Sequence, residues 1–531
     1  MKDVEAAVRH KSGVTTYEWR IDLGRHIYPG KTIGFDLIVQ DVDEDGTRKR
    51  LQWGPQGYKN LIAGRLGDII LAMQNEVIGD AQGRVGWAKA TDVALPTHVR
   101  LVSADRPAVW VDVRVDETGL FQTKLPQGRY FVESPWLTNQ PFAMFGATNL
   151  ARIKPSQPAS IVVDEGARSS SAEVLFEAAP APDHLFGDQP VLPNYTRESE
   201  ARVDEFIEAY REHFGITGLS VALIHDGEVV YDKQFGVADT IAMTPVGPDT
   251  LFEMASISKS LFALTAMRLV ERGELHLDRP LVEYLPFPQL ENDEQAAKMT
   301  ARHVLSHQSG LPNWAWSNDP RGWRTGGPIS LSFSPGDRFG YSGEAYGYLA
   351  RVIEKITGTP IDETIEEELL DPLALTSTFP SADDEQANRV ALGHSHYFPT
   401  FFSIERDVWV AGSMYSNAGD LARIAAAFMS GKIVSNETRI QVLTPEVTVP
   451  EEFLEGSNGW EESYGLGFHM QNSPVGTLAG HGGNNGDFQT RFGIIPDRGI
   501  GYVVFANNNS GHRFIEEFER FLFVGRPHAG D

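Results

Sequence analysis

Apolar side chains recur at Val203, Phe206, Ile207, Tyr210 and Phe214, the spacing of one buried helix face. Thr196 is the candidate N-cap, with Glu198 and Glu200 suited to the positive end of the helix dipole. Ser199 stands where a capping box would need Glu or Gln, and Gly215 can close the helix. Two strand patterns then flank Asp226-Gly227, a favoured type I′ hairpin pair. Toward the other end, Thr490–Ile495 and Gly501–Ala506 read as strands around Asp497-Arg498-Gly499, and His512–Phe523 reads as a helix.

The first 180 residues carry period-two patterning instead. Short strand-like runs cover Thr16–Leu23, Thr32–Val39, Lys49–Trp53 and Asp68–Leu71, separated by Pro29-Gly30, an acidic turn and Gly54-Pro55. A second β-rich stretch follows, with Val99–Leu101, Ala108–Val115, Gly119–Leu125 and Gly128–Val132 and Gly-centred turns. The Pro content of Ala178–Pro193 reads as a linker. The expected division is 1–82, 83–180, a linker over 181–195, and a third unit over 196–531.

Length alone suggests two to four domains, and the apolar content allows a sizeable core. The formal charge of −26 argues against a nucleic-acid partner and against adsorption to an anionic membrane. With no cysteine, disulfides, thiolate catalysis and Cys-based zinc sites are excluded. No run is long and apolar enough for a membrane span, and residues 1–9 lack the apolar core of a signal peptide.

Candidate chemistry starts at Ser256-Ile257-Ser258-Lys259, ahead of a long apolar-periodic segment. A serine three residues before a lysine at a helix start places both on one face, one turn apart. That supplies a hydroxyl nucleophile, Ser256, and an amine, Lys259, able to take its proton once desolvation or nearby positive charge lowers its pKa. Downstream come Tyr341-Ser342-Gly343, before a helical stretch, and His481-Gly482-Gly483, before a strand pattern. Tyr341 is the candidate second proton carrier; a phenol with a reference pKa near ~10 would need the Lys259 cation to hold it as phenolate.

These three elements resemble the active-site motifs of the serine β-lactamase-like family, which includes penicillin-binding D,D-peptidases, class C β-lactamases, D-aminopeptidases and family VIII carboxylesterases. The resemblance spans about residues 195–525. It extends to residues 218–227 (GLSVALIHDG), 236–239 (GVAD), 303–311 (HVLSHQSGL) and 464–467 (YGLG). It implies an α/β (α+β) catalytic domain: an antiparallel sheet assembled from both ends of the unit, flanked by helices, with a helical insert. Two small all-β sandwich-like domains would precede it. The N-terminal runs at 33–43, 51–53 and 67–71 resemble the C-terminal half of a family-9-type carbohydrate-binding module, and 84–178 resembles a carboxypeptidase-regulatory-type sandwich.

The resemblance further implies an oxyanion site between the backbone N–H groups of Ser256 and Asn484. Gly482 and Gly483 then form a strand edge that substrate can approach closely. His481 stands where β-lactamases carry lysine. It would bind a substrate carboxylate if protonated, hydrogen-bond Tyr341 if neutral, or serve structure alone. Gly343 occupies the substrate-binding position where the family commonly has Asn, whose amide binds an acylamide carbonyl. Glu344, Asn484 and Asn485 are the candidates to compensate.

The expected activity is a serine hydrolase working through an acyl-enzyme: a peptidase or amidase on small peptides, D-residues included, or else a family VIII-type carboxylesterase. From another class stands a non-turnover protein that binds penicillin or cell-wall fragments. Expected partners are a small-molecule or short-peptide substrate, with glycan or cell-wall contact through the N-terminal domains and a homo-oligomer both open. Location would be periplasmic or secreted if a leader has been removed. No cofactor and no metal is expected. The Asp41–Gly46 run matches the opening of a calcium loop, but the twelfth position is Gln52, so a solvated turn is favoured. His303 with His307, and His394 with His396, lack the carboxylate pattern of a zinc site and read as structural. Trp314 and Trp316 are candidates for the cleft mouth or for packing.

Overall fold

Period-two patterning in the first 180 residues becomes strands. The computed structural model describes, before residue 181, residues 4–11, 14–21, 32–35, 38–42, 48–52, 67–70, 78–88, 98–104, 110–133, 153–155, 159–163 and 171–178. After it, residues 181–526 are described except 241, 315–328, 396–397, 400–403, 405, 451–452 and 454–459. The strands up to residue 178 belong to one unit and the chain from residue 179 onward to the other.

In the first unit, two four-stranded sheets pack face to face. One holds Ile78–Trp87, Leu120–Pro126, Ile153–Pro155 and Ser171–Ala178; the other holds His98–Ser103, Trp110–Arg114, Gly128–Glu133 and Ala159–Val163. Alternate residues, among them Val99, Leu101, Phe121, Tyr130, Ile161 and Val174, fill the space between the sheets. The run read as one strand over 32–39 is two. Thr32–Phe35 pairs with Gly67–Ile70, whereas Ile38–Val42 pairs with Arg48–Gln52, so the chain changes partners between them. Residues 43–47 of the acidic turn lie outside the described residues.

The second unit is built on a nine-stranded antiparallel sheet. Its strands, in chain order, are β1 (Gly218–His225), β2 (Glu228–Asp239), β3 (Thr244–Pro245), β4 (Val447–Thr448), β5 (Glu462–Tyr464), β6 (His469–Ser473), β7 (Gly476–Asn484), β8 (Gln489–Ile495) and β9 (Ile500–Ala506). Their spatial order is β3-β2-β1-β9-β8-β7-β6-β5-β4, so the two ends of the unit meet where β1 pairs with β9. Asp226 and Gly227 both have positive φ, as a type I′ turn between β1 and β2 requires.

Strand alternation sorts the core into two layers. Leu219, Val221, Leu223, Tyr502 and Val504 face α1 (Ser199–Phe214) and the C-terminal helix Gly511–Phe523. Ala222, Ile224, Val503 and Phe505 face the helical insert between β3 and β4. That insert contributes α2 (Ser258–Glu271), α3 (Gly343–Thr357) and α4 (Ala418–Met429). Apolar on nearly every side, α2 is buried over most of its length at the centre of this layer.

Two local expectations change. The first helix opens at Ser199, and Thr196 does not cap it; the Thr196 N–H donates to Ser199 Oγ at 3.2 Å in a tight turn before the helix. Gly215 does close it, at φ 64°. The Pro-rich stretch read as a linker packs down: Val191 and Leu192 are buried, and the Val191 N–H donates to Phe521 O at 3.2 Å.

Candidate active site

Ser256 lies in a single 3-10 turn, Ala255–Ile257, that runs directly into α2. Ala255 has φ 49°, a left-handed conformation that alanine adopts at a cost of order 1–3 kcal/mol. The surroundings enforce it. Met254 N–H donates to Met414 O at 2.8 Å, and Thr490 Oγ1 donates to Met254 O at 3.0 Å. Ser258 Oγ donates to Ala255 O at 2.7 Å and accepts from Met414 N–H at 3.2 Å. Helix α2, strand β8 and the 409–417 loop thus jointly hold the turn.

One helical turn on, Lys259 is fully buried, with Nζ 3.2 Å from Ser256 Oγ and 2.7 Å from Ala411 O. The rings of Tyr341, Trp314 and Tyr346 stand 4.7, 5.9 and 5.9 Å from Nζ. Among the described residues no carboxylate offsets the ammonium, and burial pushes its pKa down from 10.5 to about 7. An amine so placed can hold or release a proton near neutrality.

Tyr341 directly precedes Ser342, the N-cap of α3, whose Oγ accepts from Ala345 N–H at 3.1 Å and donates to Pro312 O at 2.8 Å. The segment is tied to the 303–311 signature. His307 O accepts from Gly340 N–H at 2.7 Å, and His307 Nδ1 accepts from Ser342 N–H at 3.1 Å. The tyrosine reaches Lys259 because these two segments pair.

Strand β7 supplies the third side. Its partner β6 stops at the His469–Gly480 pair, whereas β8 continues to Asn484, so residues 481–484 run beyond β6 beside the Ser256 turn. A Cβ on Gly483 would lie 2.2 Å from Met254 O and 3.1 Å from Ala255 Cβ; only glycine lets the strand come this close. Asn484, which pairs with Gln489 at the end of β7, has its Oδ1 accepting from Gly486 N–H and Gln489 Nε2, both at 2.8 Å. Asn485 Nδ2 is bound to Glu253 Oε2 at 2.6 Å.

His481 is buried and neutral. Gly482 O can only accept, so Nδ1 donates to it at 2.5 Å, and Nε2 then accepts from Tyr464 Oη at 2.9 Å. Burial, followed by the charge of Lys259, pushes its pKa down to about 3. Two of the three stated readings therefore change: the ring offers no cation to a substrate carboxylate, and its hydrogen-bond partner is Tyr464, with the Tyr341 ring centroid 6.3 Å away.

Gly343 also reads differently in place. Its N–H donates to Asn313, to the backbone O at 3.1 Å and to Oδ1 at 3.0 Å. A Cβ there would fall 2.4 Å from Cζ3 of Trp314. The indole fills the room an asparagine would need, and Trp409 packs on it with ring centroids 5.7 Å apart. Trp314 therefore lies at the site; Trp316 falls outside the described residues. Glu344 is buried in the first turn of α3, its N–H shared with Asn313 O.

Sequence reasoning passed over His307, Trp409, Ala411 and Tyr464 as site residues. His307 and Tyr464 sit inside the quoted signatures, yet nothing in their spacing shows which residues they meet. His394 bonds Thr240 Oγ1 at 2.8 Å and the Asn507 carbonyl at 3.1 Å, and His396 is outside the described residues. Among the described residues no group of three or more His, Cys, Asp or Glu is placed to hold a metal, and no helix is long and apolar enough to cross a membrane.

Comparison with known proteins agrees with this architecture. The beta-lactamase family model matches residues 203–522. Esterase EstB of Burkholderia gladioli is 34% identical over 209 residues, 35% of this chain and 53% of EstB, so the match spans about half of that relative. Penicillin-binding protein 4 of Amycolatopsis lactamdurans is 22% identical over 61% of this chain and 89% of its own length. Among solved structures, the octameric penicillin-binding protein homologue from Pyrococcus abyssi superposes with TM-score 0.51 at 26% identity, covering 62% of this chain and 78% of that one.

Proposed function

The chain belongs to the beta-lactamase family, as a serine hydrolase of the β-lactamase and penicillin-binding type, and we propose that it is a carboxylesterase acting through an acyl-enzyme on Ser256. Ser256 Oγ attacks the ester carbonyl carbon as its proton passes to neutral Lys259. The N–H groups of Ser256 and Asn484 hold the oxyanion. Tyr341 gives a proton to the departing alcohol, then takes one from the water that attacks the acyl carbonyl, and Ser256 recovers its proton as the acid leaves.

One observation carries the choice of ester over peptide: Trp314 occupies the space beside Gly343. A peptide or acylamino substrate needs a polar partner for its amide. Losing a buried hydrogen bond costs about 1–3 kcal/mol, whereas a simple acyl chain can lie against indole at no such cost. The neutral, Tyr464-bound state of His481 adds that no cation is provided there for a peptide carboxylate. The name of EstB accords with this reading.

The test is kcat/KM on a matched p-nitrophenyl ester and p-nitroanilide of the same acyl group, with wild type and Ser256→Ala. Ester turnover that vanishes in the variant is expected. An anilide rate comparable to the ester rate would return the protein to the peptidase or amidase reading. Acylation without turnover would make it a binding protein.

A further inference from the structure

His307 combines features that packing alone does not call for. The ring is fully buried and the backbone is left-handed, at φ 57°. Ser342 N–H can only donate, so Nδ1 accepts and Nε2 carries the hydrogen; that buried Nε2–H has no partner. An unpaired buried donor costs about 1–3 kcal/mol and the left-handed backbone a similar amount. An apolar residue would fill the volume without the first cost.

What these costs accompany is contact with both neighbours of Tyr341. The imidazole holds Ser342 N–H, the His307 carbonyl holds Gly340 N–H, and the ring lies on the Tyr341 ring at a centroid distance of 4.1 Å and 35°. Tyr464 and Tyr346 close the cluster at 4.8 and 5.2 Å. Burial, then the charge of Lys259, holds the imidazole well below its ordinary pKa. The ring therefore does not compete with Lys259 for the proton.

We infer that His307 is a positioning residue that clamps Tyr341 from both sides and sets its phenol against Lys259. The clamp rests on Tyr341 being in the proton path. It acts on placement alone, so its loss misdirects proton transfer while leaving the substrate's own contacts intact.

Two variants of the full chain separate the parts of the clamp. His307→Asn keeps a side-chain acceptor near Nδ1 and tolerates positive φ, but loses the ring. His307→Phe keeps a ring and loses the acceptor. Each is measured alone and on Tyr341→Phe, with folding checked by near-ultraviolet circular dichroism and thermal unfolding. For His307→Phe, kcat falls on the order of 100-fold per folded molecule while KM stays within about twofold, in line with the cost of a misplacement near 1 Å. His307→Asn retains kcat within about fivefold. On Tyr341→Phe, adding His307→Phe changes kcat by less than about twofold, because both act through one group.

Folded His307→Phe with wild-type kcat, or a loss that multiplies fully on Tyr341→Phe, would overturn the clamp. If His307→Phe does not fold, His307→Asn decides: a kcat as low as that of Tyr341→Phe overturns it. Wild-type turnover by Tyr341→Phe would instead overturn the reading of Tyr341 on which the clamp depends.

Discussion

Replacing Lys259 with Met should abolish turnover and stabilise the fold at low pH. The unfolded chain holds the Lys259 proton up to its ordinary pKa of 10.5, whereas the folded one releases it near 7. Between those values the unfolded state binds more protons, so stability rises with pH; below 7 the fold bears the whole penalty. At about 1.4 kcal/mol per pKa unit, the span from 10.5 to 7 amounts to about 5 kcal/mol. Methionine fills a similar volume without charge but gives up the bond to Ala411 O, at about 1–3 kcal/mol. At pH 6, Lys259→Met should therefore be more stable by about 2–4 kcal/mol, on the order of 5 °C in Tm. At pH 10 the charge penalty has nearly gone and the lost bond remains, so the advantage disappears or reverses. Calorimetry of both proteins at pH 6, 8 and 10 measures this, read on the transition that moves between them. A stability difference that is the same at pH 6 and pH 10 would refute a depressed Lys259 pKa, and a less stable variant at pH 6 would refute the burial argument.

Other expectations follow from the same geometry. Gly483→Ala places a Cβ 2.2 Å from Met254 O, about 1 Å inside ordinary contact, and should lower kcat on the order of 100-fold for about 1–3 kcal/mol of stability; unchanged kcat in a folded variant refutes the close approach. Gly343→Asn alone collides with Trp314 and should lose stability without gaining anilide activity. Combined with Trp314→Ala it should raise the anilide-to-ester ratio of kcat/KM about tenfold, and the same rise in the single variant refutes the packing argument. The pH profile of kcat/KM should be low in acid and rise through about 7 as Lys259 loses its proton. His481, pushed down to about 3, adds no second step near 6.5, so two ionisations between pH 6 and 7 would refute its buried neutral state.

Much of the fold was legible because it rests on local rules. The α1 face at Val203, Phe206, Ile207 and Tyr210 follows helical spacing, the Asp226-Gly227 turn follows its demand for positive φ, and β8 and β9 follow period two. The Ser256–Lys259 approach was legible too, since i and i+3 on a helix are neighbours wherever the helix sits. The linker over 181–195 was misread because Pro content reports backbone preference, whereas the burial of Leu192 depends on a helix more than 300 residues further along.

By itself, then, the sequence determined the elements, the hairpin, and the spacing that sets a hydroxyl beside an amine. Tertiary structure alone decided what those groups are. Lys259 is a base near neutrality only because α2 is enclosed on every side. His481 is neutral because packing buries it beside the charge of Lys259, with β5 bringing Tyr464 to its Nε2, and Gly343 faces an indole because the chain after Leu311 folds back onto α3. Helix and strand patterns are set by neighbours along the chain. Ionisation and substrate choice are set by desolvation and by contacts between residues tens to hundreds of positions apart, which no local pattern encodes.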